Sequence, residues 1–199
     1  MFGFVLLSCT QAPVKRFYTL SNIPVSEGAS QDGERACHKT VVLASLETSA
    51  PYDEDKIIFR TDAYEIKYFN YRLWVSPPRD MVDGLLVQKL DRARVFKAVE
   101  SFSYSDPDHL TLYGRLNVIE EVEDEKGWNA RLAMSFRLKS ARDEDIIWKY
   151  RFDKTERVGE DKIELFLSVM NKIYNEEIDK MIAALARFVP SHSGCRNSG

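Results

Sequence analysis

Three stretches of strict alternation occupy the middle of the chain. In 110–118, Leu110, Leu112, Gly114, Leu116 and Val118 share one parity. In 128–138, Trp128, Ala130, Leu132, Met134, Phe136 and Leu138 do so, and in 146–152, Ile146, Trp148, Tyr150 and Phe152 repeat it. A period of two puts alternate side chains on one face of a strand. The connections "EEVEDEKG" and "KSARDED" are short and charged, so the segments predict an antiparallel meander with one dry face. The period then changes. Over 160–188, Ile163, Phe166, Leu167, Met170, Ile173, Tyr174, Ile178, Met181, Ile182, Leu185 and Phe188 fall at helical spacing. That stripe is wide enough to cover the dry face, and Pro190 is expected to stop the helix.

Upstream, the patterns are shorter. "KRFYTL" (15–20) reads as a strand, 21–39 as a loop, and the β-branched run "TVVLASL" (40–46) as a buried strand. After a turn at 50–55, "KIIFRT" (56–61) and "YEIKYFNYRLWV" (64–75) predict a hairpin or bent pair of strands. Met81, Val82, Leu85, Leu86 and Leu90 predict a helix over 76–93, with Ser76 as its cap and Pro77 at its first position. "VFKAVESF" (95–102) returns to strand and 103–109 to loop. The fold class expected is mixed α/β: a single α+β domain over 15–189, whose mixed sheet contains an antiparallel meander covered by two helices. Residues 1–14 precede it as signal remnant and tether, and 190–199 follow as a tail.

Composition changes this picture only at the N-terminus. With a net charge of −3 nothing suggests a nucleic-acid-binding surface, and no apolar run approaches the roughly 18 residues of a membrane span. The start, however, is apolar and ends at a cysteine: Leu6-Leu7-Ser8-Cys9 has the form of a lipoprotein signal, cut after the small residue once the Cys thiol carries a diacylglycerol. Cys9 is the expected lipidation site. Met1 to Ser8 is uncharged and short for such a signal, which places its natural start upstream. Thr10 follows the Cys where an inner-membrane lipoprotein would carry Asp, so the outer membrane is the expected destination. Cys37 and Cys195 remain as an even pair, either a disulfide in an oxidising compartment or two free thiols.

Catalytic motifs are absent: there is no GxGxxG, P-loop, HExxH, CxxC or GxSxG. His38 and His192 lie near Cys37 and Cys195, but the spacing is unlike that of structural zinc sites, and no metal or other cofactor is expected. The acidic groups Asp53 to Asp55, Glu120, Glu121, Glu123, Asp124, Glu125 and Asp143 to Asp145 read as solvated turns. The unusual segment is 59–82. It crowds Phe59, Tyr64, Tyr68, Phe69, Tyr71 and Trp74 onto both parities, together with Arg60 and Arg72. A strand buries only alternate residues, so part of this set is either exposed or covered by a partner. Arg60, Tyr68, Tyr71, Arg72 and Trp74 are the candidate partner-binding residues, since Tyr, Trp and Arg are enriched at interface hot spots. A well-packed central hairpin is the other reading of the same residues.

In order and spacing, several short motifs resemble one family. They are Leu6–Cys9, Tyr18-Thr19-Leu20, Phe59-Arg60-Thr61, the aromatic strand Tyr68 to Trp74 followed by Pro77, the helix 78–92, and an acidic turn before "IIWKYRF". Together they resemble the PqiC-like auxiliary lipoproteins of ABC-type transport systems. The short signal and the Cys37/Cys195 pair depart from the pattern. The resemblance implies a fold similar to the anticodon-binding-like or TolB N-terminal folds. It implies a non-enzymatic docking component, anchored at the outer membrane and facing the periplasm. Its implied partners are an MCE-domain protein and an ABC permease that move lipids between membranes, with a homo-oligomeric ring as one form. The alternative is a periplasmic carrier that binds the lipid or solute itself, which needs a lined apolar cavity. An envelope hydrolase would need a cleft with a perturbed acid or His.

Overall fold

The computed structural model describes residues 13–21, 35–101, 107–141, 145–192 and 195. In chain order they form β1 (Arg16–Tyr18), β2 (Val41–Leu43), β3 (Glu47–Thr48), a 3₁₀ turn at Ala50–Tyr52, β4 (Lys56–Arg60), β5 (Lys67–Trp74), α1 (Pro78–Ala93), β6 (Val99–Glu100), β7 (Leu110–Asp124), β8 (Gly127–Ser140), β9 (Ile146–Arg157) and α2 (Ile163–His192). The lipidation site Cys9 and the acidic residues Asp143 and Glu144 lie outside the described residues.

One mixed sheet holds all nine strands. β7 is its spine. Along one edge β7 pairs antiparallel with β8, which pairs antiparallel with β9. Along the other edge, β2, β3 and β4 pair with it in succession, all parallel. β6 flanks β2, while β5 and then β1 extend the sheet beyond β4. The meander is therefore as the alternation predicts, but its strands are longer, because charged residues continue the pairing past the apolar runs.

A register shift between Leu116 and Val118 inverts the parity of β7. Leu110, Leu112, Gly114 and Leu116 face the core as expected; beyond the shift Ile119 is buried and Val118 only half-buried. A second shift at Leu138/Lys139 leaves Ile146 exposed, while Trp148, Tyr150 and Phe152 pack against the core. A Cβ at Gly114 would overlap the side chain of Leu46, which packs against it and would have to shift.

α2 packs on β8 and β9. Phe166, Met170, Ile173, Tyr174, Ile178, Met181 and Leu185 are fully buried, and Val189 rather than Phe188 completes the stripe. Pro190 does not end the helix, which runs to His192. So near the C-terminus proline removes one N–H donor from a turn that is about to end. α1 begins one residue later than expected. Pro77 occupies the cap position without a side-chain hydrogen bond, and Pro78 is the first helical residue, where its missing N–H costs nothing. The strand expected at 95–102 shrinks to Val99–Glu100; Val95 and Phe96 are buried in the turn before it.

Cys37 and Cys195 are joined by a buried disulfide, with Cα atoms 4.6 Å apart and a sequence separation of 158. Phe166→Ala empties the centre of the helix–sheet contact and is expected to cost about 3–5 kcal/mol, read by urea denaturation. A loss under about 1 kcal/mol would mean that the site collapses onto neighbouring side chains. Cys37→Ser/Cys195→Ser opens the long loop. The chain-entropy relation predicts a loss of about 5 kcal/mol, read as a lowered Tm that reducing agent reproduces in the unsubstituted chain.

Candidate functional site

The aromatic segment divides between core and surface. Trp74 is 1% exposed, its ring centroid lies 6.4 Å from that of Phe166, and it belongs to the core rather than to a partner surface. Arg60 is also withdrawn: its Nε donates to Glu120 at 2.8 Å. Tyr68 and Tyr71 are exposed at 37% and 46%. The cause lies in the register of β4 and β5. Lys56 faces Leu73 and Ile58 faces Tyr68, so two steps along β4 span five along β5. The surplus bends the strand outward at Phe69–Arg72. Phe69 is held by Phe59 (centroids 4.5 Å apart) and by the Arg72 guanidinium 4.8 Å above its ring. Tyr68 is flanked by Lys56. At the hairpin tip the Asp62 carboxylate accepts the backbone N–H groups of Tyr64 and Glu65, and Tyr64 stands almost wholly in solvent.

Tyr71 and Arg72 look onto a shallow cleft of about 290 Å³, between the β1–β5 edge and the start of α2. Val14, Arg16 and Tyr18 line one side and Asp161, Lys162, Ile163 and Glu164 the other. Phe17 and Val75 are also exposed. β1 itself is fixed from behind. The Leu20 N–H approaches Met81 Sδ at 3.1 Å, the Ser21 N–H donates to Asn171 Oδ1 at 2.8 Å, and Asn175 Nδ2 donates to the Ser21 carbonyl at 3.1 Å. The "YTL" motif thus leads into the point where the chain is clamped between both helices, at Leu20 and Ser21.

Glu120 and Glu121, expected in a solvated turn, are both buried within β7. They point to opposite faces. Glu120 accepts Tyr52 Oη at 2.6 Å and Arg60 Nε at 2.8 Å, with Arg131 at 3.7 Å. Burial, together with that carboxylate, pushes the Tyr52 hydroxyl up to about 12. Glu121 faces the helices. It is 1% exposed, and neither carboxylate oxygen has a hydrogen-bond partner among the described residues. Burial, and then the charge of Asp161, raise its pKa to about 7 against the opposing pull of Arg72. Arg72 Nη1 lies 3.5 Å from Asp161. The sequence signal for this pair is the adjacency of Val118 and Ile119, where two neighbouring apolar residues break the period of two.

Both sulfurs near His38 and His192 are used in the disulfide. Among the described residues no group of three or more His, Cys, Asp or Glu could hold a metal ion. No Ser, His and acid are brought together by any contact described above. The features that remain among the described residues are a clamped N-terminal strand, exposed aromatic side chains and an open sheet edge.

Residues 18–183 match the family described as ABC-type transport auxiliary lipoprotein component. The chain belongs to that family. The match begins at the Tyr18 of the clamped motif and ends inside α2, so it includes the whole sheet from β2 to β9. No curated protein matches the sequence. Among solved structures the fold is similar to that of a protein from Xanthomonas campestris, at 13% identity over 87% of this chain and 96% of that one, with a TM-score of 0.74. It is also similar to an uncharacterized protein at 14% identity over 86% and 99%, TM-score 0.68, and to a hypothetical protein from Chlamydia trachomatis at 9% identity over 76% and 98%, TM-score 0.53. At such identities the likeness is one of fold.

The buried Glu121 gives this auxiliary lipoprotein a pH signature. Its folded pKa, about 7, lies above its ordinary value of 4.5, so the native state holds the proton more tightly than the unfolded chain. The resulting penalty is absent below pH 4.5, grows as pH rises, and is complete above pH 7. Glu121→Gln is therefore expected to stabilise the protein at pH 8 by about 3 kcal/mol, with the gain fading toward pH 4.5. Urea denaturation at pH 8 and pH 5 measures it; equal gains at both would show that the effect is not titration.

Proposed function

We propose that this family member is a non-enzymatic docking component, lipid-anchored through Cys9 at the periplasmic face of the outer membrane. It would serve an ABC-type system whose MCE-domain protein and permease move lipids between the two membranes. The observation that carries the reading is the β1–β5 edge. Among the described residues β1 pairs only with β5, leaving its outer backbone groups open. Phe17, Tyr68, Tyr71 and Val75 are exposed large apolar side chains on those two strands or just after them. An open edge beside exposed aromatics is the usual character of a protein-binding surface. The short tether from Cys9 reaches the domain at this same edge, so the partner surface would be held at a fixed reach from the membrane. Among the described residues no helix is long and apolar enough to cross a membrane.

The carrier alternative draws less support. The apolar stripe of α2 is used up against the sheet, and the cleft beside β5 is open and lined by charged side chains.

Two measurements test the proposal. Expressed with its complete natural signal, Cys9→Ala is expected to move the protein from the membrane fraction to the soluble periplasm; retention on membranes would assign the anchor elsewhere. Tyr68→Ala/Tyr71→Ala is expected to weaken capture of the cognate MCE-domain protein at least tenfold, as loss of hot-spot side chains does, without lowering Tm. Light scattering on the same variant reads self-association into a ring. Unchanged binding and unchanged mass would remove this edge from the interface.

A further inference from the structure

The face of the meander turned away from α2 carries a block of positive charge that the docking reading does not use. The strand register lays it out as a grid. Arg115, Ser135 and Arg151 form one row, Tyr113, Arg137 and Lys149 the next, and Lys139 follows on β8. Five cations thus surround one tyrosine and one serine. Arg137 and Lys149 are directly opposed across β8 and β9, an arrangement in which like charges repel. Within this block the acid that touches the cations is Glu47, 3.2 Å from Arg115 and 3.9 Å from Arg137. Lys149 and Arg151 make no ion pair among the described residues, and both are exposed. The chain as a whole is acidic, with a net charge of −3, so composition does not account for this concentration.

The geometry at the centre suits phosphate. Ser135, Arg137, Lys149 and Arg151, together with Phe136 and Tyr150, border a shallow depression of about 290 Å³. The Ser135 hydroxyl accepts Asn117 Nδ2 at 3.1 Å, which leaves its own proton free to donate outward. Tyr113 lies beneath Arg137 and Lys139, at 6.0 Å and 5.6 Å from its ring, and this steadies both cations without neutralising them. A specific protein interface is depleted of charge at its centre and is anchored by desolvated aromatic or aliphatic side chains. Here five cations surround one tyrosine and one serine on a broad open sheet, which matches a plane of phosphates.

We infer that the Arg115–Arg137–Lys149–Arg151 face is a docking surface for the anionic headgroups of a phospholipid membrane. It is independent of the Cys9 lipid and of the Tyr68–Tyr71 edge. With the face against the headgroups, the domain lies along the membrane instead of swinging freely on its tether. Basic residues at an anionic surface contribute additively, and each is worth about a fivefold gain in partition.

The test uses the full chain bearing Cys9→Ala, so that no acyl chain contributes, and co-sedimentation with vesicles. Binding is expected to vesicles that mix phosphatidylglycerol into phosphatidylcholine, not to phosphatidylcholine alone, and to fall with added salt. Lys149→Gln/Arg151→Gln is expected to weaken it roughly 30-fold. Because Lys149→Gln also relieves the repulsion with Arg137, the double variant should keep or raise its Tm, which separates lost binding from lost folding. Lys172→Gln/Lys180→Gln makes the same change in net charge on α2 and is expected to bind as the parent does. Equal binding to neutral and anionic vesicles, an unaffected double variant, or equal losses in both variants would overturn the proposal. So would a chain that ignores the vesicles but is retained by polyglutamate through the same residues, which would assign the face to an acidic protein.

Discussion

Both edges of β7 are committed, and the architecture follows from how. A strand of that length carries a row of N–H and C=O groups on each side, and in a folded interior those rows must be paired. On one side β8 takes the whole row in a single antiparallel run. On the other side no strand of matching length exists, and β2, β3 and β4 share the row between them. β2, β3 and β4 follow one another along that row in the same direction, and the chain returns from β4 to β7 through β5, α1 and β6. The β1 edge lies where β5 and β1 extend the sheet beyond β4.

The parts with a long, clean period were legible from the residues alone. The meander and α2 each repeat their pattern over many residues, so the period survives local irregularity. α1 was placed to within two residues by Met81, Val82, Leu86 and Leu90. What the pattern concealed were breaks of phase. One extra residue after Leu116 turned Ile119 inward and carried Glu120 and Glu121 into buried positions, although a run of acids looks like a turn by composition. The bend in β5 likewise decided which aromatics are exposed. Trp74 and Tyr68 share one parity and are alike by residue type as hot-spot candidates; the uneven pairing of Lys56 and Ile58 falls between them, and one lies in the core while the other is exposed.

Charge is handled differently on the two faces of the sheet. Toward the helices, Glu121 has no hydrogen-bond partner among the described residues, although the charges of Asp161 and Arg72 both act on it. On the opposite face Glu120 is fully engaged by Tyr52 and Arg60, while the cations farther along lie next to one another with little compensation. Two adjacent residues of one strand therefore end in contrasting electrostatic states. A polar group without its partners is tolerated only where something other than stability keeps it, and both exceptions here lie along strands that also build the candidate surfaces.

The disulfide gives the chain an unusual mechanical division. Cys37 and Cys195 close a covalent ring that contains every strand from β2 to β9 and both helices. β1 and the segment clamped by Asn171 and Asn175 lie outside it, as does the tether toward Cys9. Tension applied from the N-terminal end therefore meets the short parallel pairing with β5 and the bonds at Leu20 and Ser21 before it meets the ring. Those non-covalent links would part first, as a strap peels from a closed loop, while the disulfide-closed body stays folded.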